Sequence, residues 1–382
     1  MRLAVYTDYE YVSDGERRYG QRAFVVFLEA LREHVDRLVL VGRMDPRPQS
    51  SHYPLNDETE LVGLPHYESL AKPLSVVGSL VRSVTRFWRL LDEIDVVWVL
   101  GPYPHAVLLA GVTLLRRRRL VLGVRQDTPT YIRTRRPEQR WMHVGADLLD
   151  GIWRLLARRH PTVVVGPDLA ESYRRAPELL AMTVSLVSEA QLAEPEVAAA
   201  RDYDGPLTAL TVGRVDTEKN PLLLADIVAR LNRDAPRWRL VVCGEGPLVE
   251  ALAERVAELG VADAVELRGY LPVDGGLLDL YRESHAFLHV SLTEGFPQVL
   301  VEAFGARLPV VATAVGGVPA AAEGAALLVP PRDAEAAAAA LERIADDPEL
   351  RERLIAAGAE RARAGTLEAS SAEVAAFLER SR

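Results

Sequence analysis

At 382 residues, with 49% hydrophobic and 26% charged positions, the chain is globular in composition, too long for one ordinary core and sized for two domains. Its formal charge of −9 argues against a nucleic-acid partner, and a single cysteine, Cys243, excludes an internal disulfide or a cysteine zinc site. No run approaches the roughly 18–20 uninterrupted apolar residues of a membrane span, and MRLAVYTDYE turns acidic too soon for a signal peptide, so a cytoplasmic location is expected.

Strand-like runs alternate with amphipathic stretches from the first residues onward. RLAVYTD (2–8) precedes a helical pattern at 21–35; RLVLVGR (37–43), DVVWVLG (95–101), RLVLGVRQD (119–127) and TVVVG (162–166) continue the series. A polar seam, SEAQLAEPEVAAARDYDGP (188–206), interrupts it. The alternation then restarts with LTALTVGR (207–214), WRLVVCGEGP (238–247), AVELRGYLP (264–272), AFLHVSL (286–292), PVVATAV (309–315) and ALLVP (326–330). Continuous apolar strands between amphipathic helices mean parallel sheets covered on both faces. The reading is therefore two doubly wound, Rossmann-like α/β domains: an N-terminal one over 1–190, a linker over 191–206, a C-terminal one over 207–365, and a last helix over 366–382. Two such domains facing across a cleft would make a two-substrate site at the carboxyl ends of their strands.

Charge is unevenly spread. Residues 1–200 hold 26 Lys+Arg against 25 Asp+Glu, so the net negative charge belongs to the second half. Within the first half, LLRRRRL (114–120) and RTRR (133–136) are basic. They read first as a solvated loop and helix end, with an acidic acceptor or an anionic membrane surface as the other readings. Only two of the 45 basic residues are lysine, Lys72 and Lys219.

Three constellations carry chemistry. In TVGRVDTEKNP (211–221) a strand ends at Gly213, and Arg214 and Lys219 follow where the next helix begins, so both cations and free N–H groups can share an anion. In CGEGP (243–247) Gly244-x-Gly246 lacks the third glycine of a dinucleotide fingerprint, and YEYVSDGERRYG after the first strand lacks it too, which argues against a dehydrogenase. In SLTEGFPQVLVEA (291–303) Glu294 and Glu302 bracket a Gly295-Phe296-Pro297 turn that opens a helix. Glycosidase carboxylate pairs sit about 5–9.5 Å apart. Eight residues of helical rise separate these two by about 12 Å, which suits the two ends of one elongated ligand better than a hydrolytic dyad.

Taken in order, Gly213-Arg214, Lys219, GEGP (244–247), Gly269, Ser291, EGFP (294–297), Glu302 and VVATAVGGVP (310–319) resemble the retaining glycosyltransferases of family 4, which have the GT-B fold. The resemblance covers roughly 206–365. It implies a metal-independent hexosyltransferase, with no cofactor, that moves a sugar from a sugar nucleotide, UDP-linked or GDP-linked, to an acceptor hydroxyl in natural-product or cell-envelope glycoside synthesis. The acceptor would be a small molecule or lipid-linked. By the same resemblance Arg214 and Lys219 hold the diphosphate, Glu294 with the 295–297 backbone holds the sugar hydroxyls, Glu302 takes the ribose hydroxyls, and the backbone at Tyr270 and Leu271 meets the base. The departing phosphate oxygen deprotonates the acceptor, and the last helix returns to the first domain. A hydrolase or synthase of the same fold, or a non-catalytic nucleotide-binding subunit, remain the alternatives.

The chain departs from the family pattern on the acceptor side. Instead of a glycine pair after the first strand there are only Gly15 and Gly20. Instead of a histidine ending the fourth strand there are Arg125, Gln126 and Asp127, with His105 in GPYPH as a further candidate. Ala320 stands where a glutamate is usual.

Overall fold

The computed structural model describes residues 1–65, 73–182, 185–233 and 236–381; Lys72 lies outside them. The chain forms two compact units, Met1–Leu186 with Leu367–Arg382 and Val187–Thr366, each built on an α/β sheet.

The first unit is built on one sheet of nine strands. These are β1 (Arg2–Ser13), β2 (Arg18–Gly20), β3 (Arg37–Pro48), β4 (Tyr53–Pro54), β5 (Glu60–Pro65), β6 (Val96–Gly101), β7 (Arg119–Val124), β8 (Thr162–Val165) and β9 (Leu179–Met182). β1 pairs in parallel with β3 on one side and β6 on the other, and β5 and β9 are the parallel edges. Successive residues alternate between two cores. Leu3 and Val5 of β1 join Val96 and Trp98 of β6 on one face, while Ala4 and Tyr6 join Val97 and Val99 on the other. β1 outruns its expected end at 8, because the polar YEYVS continuation pairs antiparallel with β2, and β2 with β4.

The second unit carries six parallel strands: β10 (Leu207–Val212), β11 (Trp238–Cys243), β12 (Val265–Gly269), β13 (Ala286–His289), β14 (Val310–Thr313) and β15 (Ala326–Val329). Their spatial order is β12-β11-β10-β13-β14-β15, so the winding reverses between β10 and β13. That reversal leaves a crevice at the carboxyl ends of those two strands.

Two boundaries differ from the sequence reading. The units part between Leu186 and Val187, and the stretch expected to be a linker, 191–206, is built into the second unit. Ala193 donates its N–H to the Gly305 carbonyl at 2.7 Å, and Arg201 donates to the carbonyls of Arg282, Ala306 and Arg307. The last helix, Leu367–Arg380, inserts Val374, Phe377 and Leu378 into the core of the first unit that holds Leu3 and Phe27. Arg119 closes its C-terminus by donating to the Leu378 and Glu379 carbonyls at 2.9 Å and to that of Ser381.

Candidate functional site

β10 delivers Gly213 and Arg214 to the crevice. A short turn, Thr217–Lys219, follows; its N-cap Asp216 accepts from the Lys219 N–H, and Asn220 in the left-handed region ends it. On the other side β13 ends at His289 and runs through Ser291 to Glu294. The two loops are tied by the Leu292 N–H, which donates to the Glu218 carbonyl at 2.8 Å. Lys219 Nζ and Glu294 Oε1 form an ion pair across the crevice. The same carboxylate oxygen lies 3.0 Å from His289 Nε2 and accepts from Ser291 Oγ at 2.7 Å. Thr313 Oγ1 in turn holds the Ser291 carbonyl at 2.7 Å.

Burial alone would raise the Glu294 carboxyl. The contact with His289 and the Lys219 ammonium outweigh it and hold the group down at about 2. Glu294 is therefore a fixed anion and hydrogen-bond acceptor. Arg214, half exposed, is paired with Asp216 and, at 2.8 Å, with Glu218. Gly213, Arg214, Lys219, Cys243, His289 and Ser291 surround a cavity of about 20 Å³, room for a single water.

Glycines let these loops close. A Cβ at Gly244 would fall 1.8 Å from the Gly213 carbonyl oxygen, and one at Gly246 2.3 Å from that of Val215. The GEGP turn is thus the backing of the 213–215 loop. Gly316 and Gly317 do the same for the opposite wall: their Cβ atoms would lie 2.0 and 1.9 Å from the carbonyl oxygens of Glu294 and Gly295. The helix Gln298–Gly305 starts just beyond, with Pro297 at its N-cap and no side-chain cap. Among the described residues the Gly295 and Phe296 N–H groups have no protein acceptor, so they and the helix terminus offer donors to a ligand.

Glu302 sits in this helix and accepts from Tyr281 Oη at 2.7 Å. Burial raises its carboxyl above the ordinary range, against the pull of the tyrosine hydroxyl. Tyr270 and Leu271 follow Gly269, whose carbonyl accepts from the Gly244 N–H at 2.7 Å, at the end of edge strand β12. His289 and Tyr281 escaped the sequence reading. A histidine ending a strand beside the winding reversal was the available signal for the first, while Tyr281, within a helix, gave none.

The residues expected on the acceptor side all lie in the first unit, near the carboxyl ends of β1, β6 and β7. Gly15 turns the chain between β1 and β2 with φ +102°, and Gly20 is buried with Val25 at 2.9 Å from its Cβ position. His105 opens the helix Pro104–Leu115, and burial, then Arg43, lowers it to about 4. Asp127 is occupied as the N-cap of the helix Thr128–Arg135, accepting from the Thr130 N–H at 3.0 Å. Gln126 is partly buried beside it. The Arg125 guanidinium stacks over Phe24 at 3.7 Å and Tyr9 at 5.3 Å, and burial lowers it to about 9. Among the described residues it makes no ion pair, and its Nε has no partner.

The architecture is that of GT-B proteins of known structure. A sucrose-phosphate synthase from Thermosynechococcus elongatus superposes over 100% of this chain and 98% of its own with a TM-score of 0.73 at 20% identity. HepE of Anabaena in complex with UDP does so over 99% and 100% with a TM-score of 0.72 at 16% identity. Residues 194–361, which hold the crevice, match the family model of glycosyl transferases group 1. D-inositol 3-phosphate glycosyltransferase of Streptomyces griseus is 39% identical over 165 residues, 40% of this chain and 34% of its own. The gpi3 subunit of phosphatidylinositol N-acetylglucosaminyltransferase from Schizosaccharomyces pombe is 35% identical over 140 residues, 36% of this chain and 30% of its own. Each match thus spans about a third of the curated relative.

Proposed function

We propose that the protein is a retaining hexosyltransferase of family 4 whose second unit binds the sugar nucleotide, a UDP-sugar in the favoured case, and whose first unit recognises the acceptor. The observation that carries this is the Lys219–Glu294 pair at the β10/β13 reversal. The ammonium already bonded to Glu294 has two further N–H donors for diphosphate oxygens, and Arg214 stands beside it. Glu294 and the Gly295 and Phe296 N–H groups take the sugar hydroxyls, Glu302 the ribose hydroxyls, and the Tyr270–Leu271 backbone the base. As the acceptor oxygen bonds to the anomeric carbon, the bond from that carbon to the diphosphate breaks. The acceptor proton passes to the departing phosphate oxygen, on which Lys219 and Arg214 stabilise the growing charge. No protein nucleophile and no metal is invoked.

The acceptor side favours an anionic molecule. Holding a partly buried cation without a counter-charge is costly, and among the described residues Arg125 is such a cation. A phosphate or carboxylate on the acceptor supplies the missing partner. The inositol 3-phosphate in the name of one relative is of that chemistry.

The test is to incubate the full chain, with and without chelator, with UDP- and GDP-sugars and phosphorylated or unphosphorylated polyols, and to follow nucleoside diphosphate. Release that requires the phosphorylated acceptor is expected. Equal release into water identifies a sugar-nucleotide hydrolase; tight nucleotide binding without release identifies a silent binding subunit; loss of release on chelation overturns the metal-free mechanism.

A further inference from the structure

The arginine run first considered for a membrane is largely spoken for inside the first unit. Arg116 pairs with Asp92 and lies over Trp88, Arg118 donates to the Asp92 carbonyl, and Arg119 closes the last helix. A different feature nearby is not accounted for by the fold. The helix Arg140–Ala157 buries Ala146, Trp153 and Ala157, and the Trp153 ring seats against Gly101, where a Cβ would come within 2.7 Å. On its other side Trp141, Val144, Leu148 and Leu155 are each more than half exposed. Their spacing of three, four and seven residues keeps them on one stripe. Leu114 and Leu115, also exposed, end the helix Pro104–Leu115 that packs against it. Six of the ten large exposed hydrophobic side chains among the described residues thus fall within 114–155. Scattered apolar residues need no explanation, whereas a stripe of this kind does.

The charge around the stripe is as uneven. Residues 114–159 hold 12 arginines against four Asp and Glu, in a chain of net charge −9. The acidic residues on the helix are already used, Asp147 by Arg133 at 2.7 Å and Asp150 by Arg154 and the Tyr173 hydroxyl. Arg117, Arg136, Arg140, Arg158 and Arg159 are exposed and make no ion pair among the described residues. An apolar stripe carrying a tryptophan, flanked by free arginines, is matched by a surface that is apolar just beneath an anionic layer. We propose that the helix Arg140–Ala157 docks on an anionic lipid bilayer, with Trp141, Val144, Leu148 and Leu155 entering the headgroup–acyl boundary and the free arginines meeting lipid phosphates. The remainder of the acidic chain is repelled by the same surface, which selects this face. The proposal does not rest on the glycosyl-transfer reading, and its test uses no substrate.

Full-length protein is sedimented with vesicles of phosphatidylcholine alone and of phosphatidylcholine with phosphatidylglycerol, at low and at high salt. Pelleting with the acidic vesicles that fades as salt rises is expected. Val144→Glu and Leu148→Glu, being at exposed positions, leave circular dichroism and melting unchanged and reduce partitioning at least tenfold. Arg158→Glu with Arg159→Glu reduces it chiefly at low salt. The proposal is overturned if acidic vesicles pellet no protein, or if Leu148→Glu binds as well as wild type. It is equally overturned if sedimentation velocity finds a dimer that Leu148→Glu dissolves, for then the stripe is covered by a second copy of the chain.

Discussion

Lys219 is one of two lysines in a chain with 45 basic residues; it lines a cavity of about 20 Å³, and its ammonium pairs with Glu294. A planar guanidinium needs a wider and flatter site. Lys219→Arg should therefore lose at least about tenfold in kcat, roughly 1.4 kcal/mol of transition-state stabilisation; wild-type steady-state kinetics in the folded variant would show the lysine to be incidental. Glu302 presents the opposite balance. Its carboxyl is raised by burial, so at neutral pH its ionised form costs stability; the cost shrinks once pH falls below the raised value and is gone below the ordinary carboxylate value. Glu302→Gln keeps an oxygen for the Tyr281 hydroxyl and removes the charge. We expect melting at pH 7 unchanged or higher and nucleoside diphosphate affinity weaker by about 1.5–3 kcal/mol, as for hydrogen bonds to a charged group. Calorimetry with undiminished affinity would remove Glu302 from the ribose. The glutamates, Arg214 and Lys219 were legible from order and spacing. His289 and Tyr281 were not: His289 meets Glu294 only because the segment after its strand turns back on it, and Tyr281 meets Glu302 from a different helix.

At the scale of elements, the site's shape is held by glycines that face backbone. Gly317 has ordinary helical dihedrals, φ −75° and ψ −1°, so alanine is conformationally allowed there. Only the Gly295 carbonyl, 1.9 Å from the Cβ position, stands in the way. Gly317→Ala should cost about 1–3 kcal/mol of stability through overpacking and displace the Glu294–Gly295 turn, lowering turnover by more than tenfold. A variant with unchanged melting and kinetics would mean that the turn accommodates the methyl freely. The sequence showed the central strands well, since each is a continuous apolar run buried on both faces. It hid β5 and β9, edge strands of mixed pattern (ELVGLP and LLAM), and the β2–β4 pairing, which depends on register between distant polar segments. The 191–206 stretch looked like a linker because it is polar and broken by proline, yet Arg201 threads its guanidinium onto three carbonyls of the second unit. Polarity in a stretch of sequence does not distinguish solvation from satisfied hydrogen bonds.

For the whole molecule, the two units differ in charge and in what they offer a ligand. The second, acidic half nevertheless places an arginine, a lysine and free N–H groups in its crevice. Its stability should report on that crevice. Because Glu294 is held at about 2 when folded, against an ordinary value of 4.5, its stabilisation is complete above about pH 4.5 and is lost as pH falls toward 2. The loss is on the order of 3 kcal/mol at most. The difference in melting between wild type and Glu294→Gln should shrink steadily from pH 5 to pH 3; a constant difference would show that the ion pair is not what anchors the carboxylate. The central claim, that this crevice is built for a nucleoside diphosphate, is tested most directly by calorimetric titration of wild type and Lys219→Ala with UDP and UMP, and with GDP and GMP. The account predicts that one diphosphate binds wild type at least about tenfold more tightly than its monophosphate, about 1.4 kcal/mol, and that Lys219→Ala largely removes the preference. Equal binding of mono- and diphosphates to wild type, or binding of neither, would contradict it.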